Sequence, residues 1–223
     1  AATGMAMGAH ADWVVLDARG AIVRRPARLA PAEAVSVVFG GLAALYFLDR
    51  AEARAGERIL VLGATGSVGA AIVQLARHRG LRVTGMSGRS NMALARSLGA
   101  RRVIDYRAQP LHTLDAPCAD LIADTCGASR FAECLPLLAP GGRYLAIAAD
   151  LPGMLARSRQ GRRSISGTAP DSLEALGKVM ALAEAGVLRP LIDSRFRFEA
   201  LPEAHARAGS GRKRGCVVVD VPG

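Results

Sequence analysis

The chain has 223 residues, a formal net charge of +10 and 51% hydrophobic residues, of which few are aromatic (4%). That length holds one domain or two small ones around a core built from Ala, Leu and Val, and excludes a minimal disulfide-held scaffold. The basicity is almost entirely scattered arginine, with lysine only at Lys178 and Lys213. The densest runs, 157–163 and 212–214, lack interleaved aromatics, which argues against a nucleic-acid surface and for a compositional bias that also attracts an anionic cofactor.

In chain order, His10–Leu16 and Ile22–Arg24 read as strands. Ala32–Arg50 reads as one or two Ala-rich helices interrupted near Gly40-Gly41. Arg58–Leu62 is a continuous apolar strand, and Ala70–Ala76 lies in the helix that follows it. Then come a strand at Arg82–Met86, a helix at Asn91–Leu98, a short strand at Arg102–Asp105 and a strand at Ala119–Asp124. A helix at Phe131–Leu138 turns through Pro140-Gly141-Gly142 into a strand at Arg143–Ala148, and Ser164–Ser166 adds a sixth strand. Ser172 or Asp171 caps an amphipathic helix ending at Ala185. Strand alternating with helix predicts an α/β fold with a doubly wound parallel sheet. The tail differs: a strand at Arg195–Phe198, a helix at Leu201–Ala208 and a strand at Cys216–Val221 read with the N-terminal strands as pieces of a second, β-rich domain.

Between the first apolar strand and its helix stand Ala64, Thr65, Gly66, Ser67, Val68 and Gly69. Ala64, Gly66 and Gly69 fill the three slots of a G-x-G-x-x-G fingerprint, with Ala in the first. The second slot admits a pyrophosphate to the backbone, and the third lets helix and strand pack closely. Alone the pattern also suits an ordinary strand-turn-helix; the apolar strand before it favours a dinucleotide site.

About twenty residues further on, where an NAD site places a carboxylate for the ribose 2′-OH, the chain reads Gly85-Met86-Ser87-Gly88-Arg89-Ser90-Asn91. Without an acid, Ser87, Arg89 and Ser90 form a hydroxyl and guanidinium set suited to a 2′-phosphate, so NADP(H) is the expected cofactor. The competing reading of the segment is a solvated loop with Ser90 as a helix cap.

Cys118, Cys126, Cys134 and Cys216 form no C-x-x-C pair, so reduced thiols and a cytoplasmic location are expected. No signal peptide or membrane-length apolar run is read, and the Ala1-Ala2-Thr3 start without Met suggests a processed chain or a fragment. His10, His78, His112 and His205 show no ligand spacing, and no metal is expected. No Tyr-x-x-x-Lys pair or Ser/His/Asp set is present.

From Gly8 to Val221 the chain resembles the medium-chain dehydrogenase/reductase superfamily, in its zinc-independent quinone oxidoreductase-like branch. The residues carrying the resemblance are G-A-H-A-D-W-V-V, P-A-E-A-V before F-G-G-L-A-A-L, and A-T-G-S-V-G. They continue with R-S-L-G-A-R-R-V-I-D-Y, D-L-I-A-D-T-C-G, L-A-P-G-G-R-Y, L-R-P-L-I-D, E-A-H and G-R-K-R-G-C-V-V-V. The resemblance implies a Rossmann domain at 39–189, with 1–38 and 190–223 as remnants of a split GroES-like catalytic domain whose earlier part is absent. It implies a cofactor site that adds Tyr106 at the adenosine end, Cys126, Gly127, Ala148 and Ala149 toward the nicotinamide, and one of Arg212, Lys213 and Arg214. Phe39 stands where zinc-dependent relatives carry a ligating Cys, and Ala43 where Thr is common.

The implied activity is hydride transfer from NADPH to a quinone or to the β-carbon of an activated alkene or carbonyl compound, by a homodimer, with no dedicated catalytic residue named. A different class stays open beside it: an NADP(H)-binding module without turnover, acting as redox sensor or scaffold, or an inactive fragment of such a reductase. RNA binding through the cofactor cleft is a weaker third. The absent segment would leave strands near Trp13 and Val217 without partners.

Overall fold

The computed structural model describes residues 1–2, 8–11, 13–148 and 158–222. Six strands form one sheet: β1 (Arg58–Leu62), β2 (Arg82–Ser87), β3 (Arg102–Asp105), β4 (Ala119–Asp124), β5 (Leu138–Ala146) and β6 (Arg163–Ile165). Their order is β3-β2-β1-β4-β5-β6 and every pairing is parallel. This is the Rossmann arrangement, in which the winding reverses between β1 and β4.

The apolar runs of β1 and β4 follow from this position, because central strands of a parallel sheet are covered on both faces. Alternation divides their side chains. Ile59, Val61 and Leu121 face a core with Leu48, Ile72 and Leu176, whereas Leu60, Leu62 and Ile122 face one with Phe131, Cys134 and Leu138. Each such fully buried side chain contributes about 1.5–3 kcal/mol of hydrophobic stabilisation.

The first face is packed by α1 (Pro31–Arg50), α2 (Ser67–His78), α3 (Met92–Leu98) and α5 (Leu173–Glu184); the one-turn α4 (Phe131–Cys134) lies on the other. Glu33 caps the Ala30 N–H at the start of α1 (2.8 Å). Contrary to the expected break, α1 runs unbroken through Gly40-Gly41. A Cβ on Gly40 would lie 2.5 Å from the Ser67 carbonyl oxygen, and one on Gly41 2.8 Å from Val179, so these glycines bring α1 against α2 and α5. The helix is also a correction to the expectation that no run could span a membrane: its length and composition suffice, but two thirds (67%) of its most apolar 18-residue stretch is buried in this fold, as in a core helix.

Other expectations shift. Residues 13–17 and 22–24 are not strands: Trp13 and Val15 stand 90% and 98% exposed, and among the described residues no strand lies beside them to complete a ladder. The helix expected over 131–138 closes after one turn, because Leu138 already pairs with Ala119. A 3-10 turn at Arg89–Asn91 precedes α3. The strand expected to reach Ala148 ends at Ala146; Ala149 and Arg157 lie outside the described residues, as does Asp12 of the opening motif.

The tail forms a second sheet of β7 (Ile192–Arg197) and β8 (Cys216–Asp220), parallel and connected through α6 (Leu201–Gly209). The strand at Val217 therefore has a partner, a correction to the expectation that it would lack one. His205 on α6 meets His10 edge-to-face, with ring centroids 5.4 Å apart, joining the N-terminal segment to the tail.

Candidate dinucleotide site

Because all six strands run parallel, their carboxyl ends share one edge, where ligands of this architecture bind. That edge gathers the expected residues from distant parts of the sequence. Ala64–Gly69 follow β1, Ser87 ends β2 with Arg89 and Ser90 just beyond, Tyr106 follows β3, Cys126 and Gly127 follow β4, and Ala148 lies two residues past β5.

The turn after β1 is tighter than the three-slot pattern suggested. Gly63, a position outside the pattern, has φ +76°, and a Cβ there would lie 2.9 Å from Thr125 Oγ1. A Cβ on Gly69 would collide with the Gly63 carbonyl oxygen. Gly66 differs: its φ of −75° suits any residue and a Cβ would meet only Gly63 O at 3.5 Å. Its missing side chain therefore leaves space in front of the turn. Ala64 is accommodated in the first slot because Gly85 on the neighbouring strand has no side chain; a Cβ there would sit 2.9 Å from that of Ala64.

Helix α2 starts at this turn with Gly66 as N-cap and without a side-chain cap, so its first N–H groups and its dipole face outward together, a setting for phosphate oxygens. Val68 is buried against the core, and the Ser67 hydroxyl lies 2.9 Å from Cys216 Sγ, which also donates to Ser36 O (3.1 Å). The cavity between Ser36, Ser67, Gln74 and Cys216 is about 20 Å³, room for one water and not for a cofactor.

At the end of β2 the Ser87 side chain is buried, whereas Arg89 and Ser90 are exposed. The Arg89 guanidinium has no hydrogen-bonding or ionic partner among the described residues, while its carbonyl accepts the Met92 N–H. Tyr106 covers Gly88, its ring 3.6 Å from where a Cβ would stand, and the Arg107 guanidinium lies 5.6 Å from the Tyr106 ring centroid. The edge thus presents the exposed Arg89 and, at the half-exposed Tyr106 ring, Arg107, without a carboxylate on the Ser87–Asn91 loop. Arg107 escaped the sequence reading, although its place beside Tyr106 was a usable signal.

The loop after β4 is organised by Asp124, 2% exposed. Its carboxylate accepts the N–H groups of Cys126 (3.1 Å), Ala128 (3.1 Å) and Ser129 (2.8 Å) and the hydroxyls of Ser129 (2.9 Å) and Tyr144 (3.1 Å). Although Cys126 is exposed, desolvation by its surroundings, followed by the Asp124 charge, pushes its thiol up to about 11. Burial likewise raises the Tyr144 phenol well above its usual value. Thr125 Oγ1 donates to Leu62 O (2.7 Å), fastening this loop to β1.

The tail reaches the same turn. Gly215 donates its N–H to the Thr65 carbonyl (2.8 Å), and Gly66 and Gly215 form an isolated parallel bridge. Arg212 lies in the exposed loop three residues earlier, and Lys213 Nζ donates to Gly215 O (2.9 Å). The loop is held by Asp193, which accepts from Arg207 at 2.6 and 2.7 Å and from the Arg214 N–H at 2.8 Å. Among the described residues no three His, Cys, Asp or Glu side chains converge as metal ligands, and Phe39 is 70% exposed on α1.

Comparison with known proteins agrees with this geometry. Residues 98–219 match the family model described as zinc-binding dehydrogenase. Over 98% of its length the chain is 32% identical to part of the pikromycin polyketide synthase component PikAII of Streptomyces venezuelae, spanning 6% of that protein. It is 32% identical over 81% of its length to the trans-enoyl reductase poxH of Penicillium oxalicum, spanning 54% of that protein. Among solved structures, the quinone oxidoreductase from Coxiella burnetii superposes with a TM-score of 0.80 at 25% identity, over 90% of this chain and 64% of that one. The match of more than half the chain, with a parallel Rossmann sheet and its glycine turn, shows that it belongs to the zinc-binding dehydrogenase family, within the medium-chain dehydrogenase/reductase superfamily.

Proposed function

We propose that the chain is the NADP(H)-binding part of a reductase that delivers a hydride to the β-carbon of an alkene conjugated to a carbonyl group. The observation that carries the cofactor choice is the loop after β2: it holds the exposed Arg89, whose side chain has no partner among the described residues, carries no acid for a ribose 2′-OH, and is covered at Gly88 by Tyr106, with Arg107 over that ring. The choice of an enoyl acceptor over a quinone rests on the relatives, since a trans-enoyl reductase and a polyketide synthase component match at higher identity than the quinone oxidoreductase.

Bound NADPH would supply the hydride. The chain's residues bind and orient it. The amide groups opening α2 hold the pyrophosphate, Gly66 leaves room for it, and Arg89 and Ser90 with Tyr106 hold the adenosine end, while the buried Ser87 hydroxyl lies 3.4 Å from the Gly88 carbonyl of the same loop. Cys126, Gly127 and Ala148 line the nicotinamide end, and Arg212 closes the site from the tail. The family description names zinc, but the described residues offer no three-ligand set for it. The carbanion formed on hydride addition is conjugated to the carbonyl and takes its proton from solvent, so no side chain is assigned as acid.

The test is titration of the chain with NADPH and NADH by cofactor fluorescence, followed by NADPH oxidation with a 2-enoyl thioester and with a naphthoquinone. Preference for NADPH and faster oxidation by the enoyl thioester are expected. Absence of NADPH binding would overturn the proposal. NADPH binding without oxidation by either acceptor would make the chain a binding module instead.

A further inference from the structure

The structure assigns to Asp124, acting through Ser129 and Tyr144, the role of a positioning residue that sets both loops facing the nicotinamide end of the site. The assignment rests on the cofactor reading above. We infer it from the number and direction of the bonds that converge on this one residue.

A carboxylate offers about four lone-pair directions. Here they receive three backbone N–H groups from the loop after β4 and two hydroxyls, one from that loop and one from β5. The Tyr144 hydroxyl is 2.9 Å from the Ser129 carbonyl as well, so its one proton is shared between that carbonyl and the carboxylate and ties β5 to the far end of the loop. The main chain of Asp124 holds the second loop: its carbonyl accepts the N–H groups of Ile147 and Ala148, each at 3.2 Å. The two loops then touch, since a Cβ on Gly127 would be 3.0 Å from the Ala148 carbonyl oxygen. Through Thr125 the assembly is also fastened to the end of β1, beside the fingerprint turn.

One buried residue thus sets the height of Cys126, Gly127 and Ala148 together at the point where the sheet's winding reverses. An unsatisfied charge this deep would be costly, but every donor around it belongs to the loop after β4 or to Tyr144 of β5, so charge and loop conformation support each other. Asparagine in the same place keeps the shape but offers two acceptor directions, and turns its own N–H groups toward donors. The adenosine end, at β2 and β3, makes none of these bonds.

The experiment uses two probes on the full chain: NADPH, which spans the site, and 2′,5′-ADP, which occupies only the adenosine end. Asp124→Asn should raise the Kd for NADPH by about tenfold or more, equivalent to about 1.4 kcal/mol, while the Kd for 2′,5′-ADP stays within about twofold. Ser129→Ala and Tyr144→Phe leave the carboxylate in place and should show the same split with a smaller amplitude, so the assignment stays testable if Asp124→Asn does not fold. Parallel losses for both probes, or unchanged NADPH affinity in all variants that fold, would overturn the positioning role alone. Wild-type chain binding neither probe would overturn the cofactor reading beneath it.

Discussion

The N–H of Gly215 donates to the carbonyl of Thr65 at 2.8 Å, tying the start of the last strand to the turn that opens the dinucleotide site. Residues 150 positions apart thereby share one local structure, and the tail becomes a wall of the site. A Cβ on Gly215 would collide with the Leu191 carbonyl oxygen, so the approach depends on this glycine, whose φ of +73° also disfavours other residues.

That wall is held by Asp193, whose side chain is 4% exposed. Arg207, with Arg214 N–H and Ser194 beside it, holds the Asp193 carboxyl well below the usual carboxylate range. A depressed folded-state pKa contributes stability that is present above the unfolded value of about 3.9 and is lost as pH falls through the folded value. The clamp should therefore be intact at pH 5–7 and loosen only in strong acid. Asp193→Asn should speed hydrogen exchange at the Gly215 and Cys216 amides at neutral pH by on the order of tenfold, the scale of one lost charge-assisted bond. Unchanged exchange would mean that the β7–β8 pairing alone holds the tail.

Two glycines of the β1–α2 turn, Gly66 and Gly69, should separate under mutation. Gly69→Ala places a methyl on the Gly63 carbonyl oxygen and should destabilise the fold by about 1–3 kcal/mol, as overpacking does. Gly66→Ala meets only an ordinary contact, so thermal unfolding should be close to wild type while NADPH binding weakens by about tenfold or more. Thermal unfolding and cofactor titration of both variants check this, and a folded Gly66→Ala protein with full affinity would remove the phosphates from this turn.

Most of the sheet was legible because parallel strands announce themselves: Ile59–Leu62 and Leu121–Ala123 are buried on both faces and bounded by turn residues. The N-terminal strands were misread because an apolar pattern such as Trp13-Val14-Val15 specifies a strand only when a neighbour completes the ladder. The residues of the site edge were legible where they follow a motif, as Gly66 and Arg89 do. Asp124 was not, since in the run D-L-I-A-D its charge looks like a strand end turning to solvent. The loop folding back over it supplies four of its five donors, and Tyr144 on β5 supplies the fifth. Gly40-Gly41 failed in the opposite way: glycines that look like a helix break are there because α2 and α5 press against that face.

The cap of α5 offers a check on local stability away from the site. Ser172 Oγ accepts the Ala175 N–H at 3.1 Å, satisfying one of the helix's free donors. Ser172→Ala should cost about 1 kcal/mol, which for a chain of this size lowers Tm by about 2–4 °C, with NADPH affinity unchanged. A loss of affinity would show that α5 is coupled to the cofactor edge.

Arg89 decides between the two nicotinamide cofactors. Its guanidinium has no partner among the described residues, so removing it leaves no buried acid behind, and any effect reports on the ligand. A charge-assisted hydrogen bond to a 2′-phosphate contributes about 1.5–3 kcal/mol, so Arg89→Ala should weaken NADPH binding by roughly ten- to a hundredfold and leave NADH nearly unchanged. Arg107, 5.6 Å from the Tyr106 ring centroid, should add a smaller share of the same discrimination. Because both cations are on the surface, the preference for NADPH should shrink as salt rises from about 0.05 to 0.5 M, when screening shortens the reach of exposed charges. Titrations of both cofactors across that range measure it, and equal small losses for NADPH and NADH in Arg89→Ala would assign this loop to solvent.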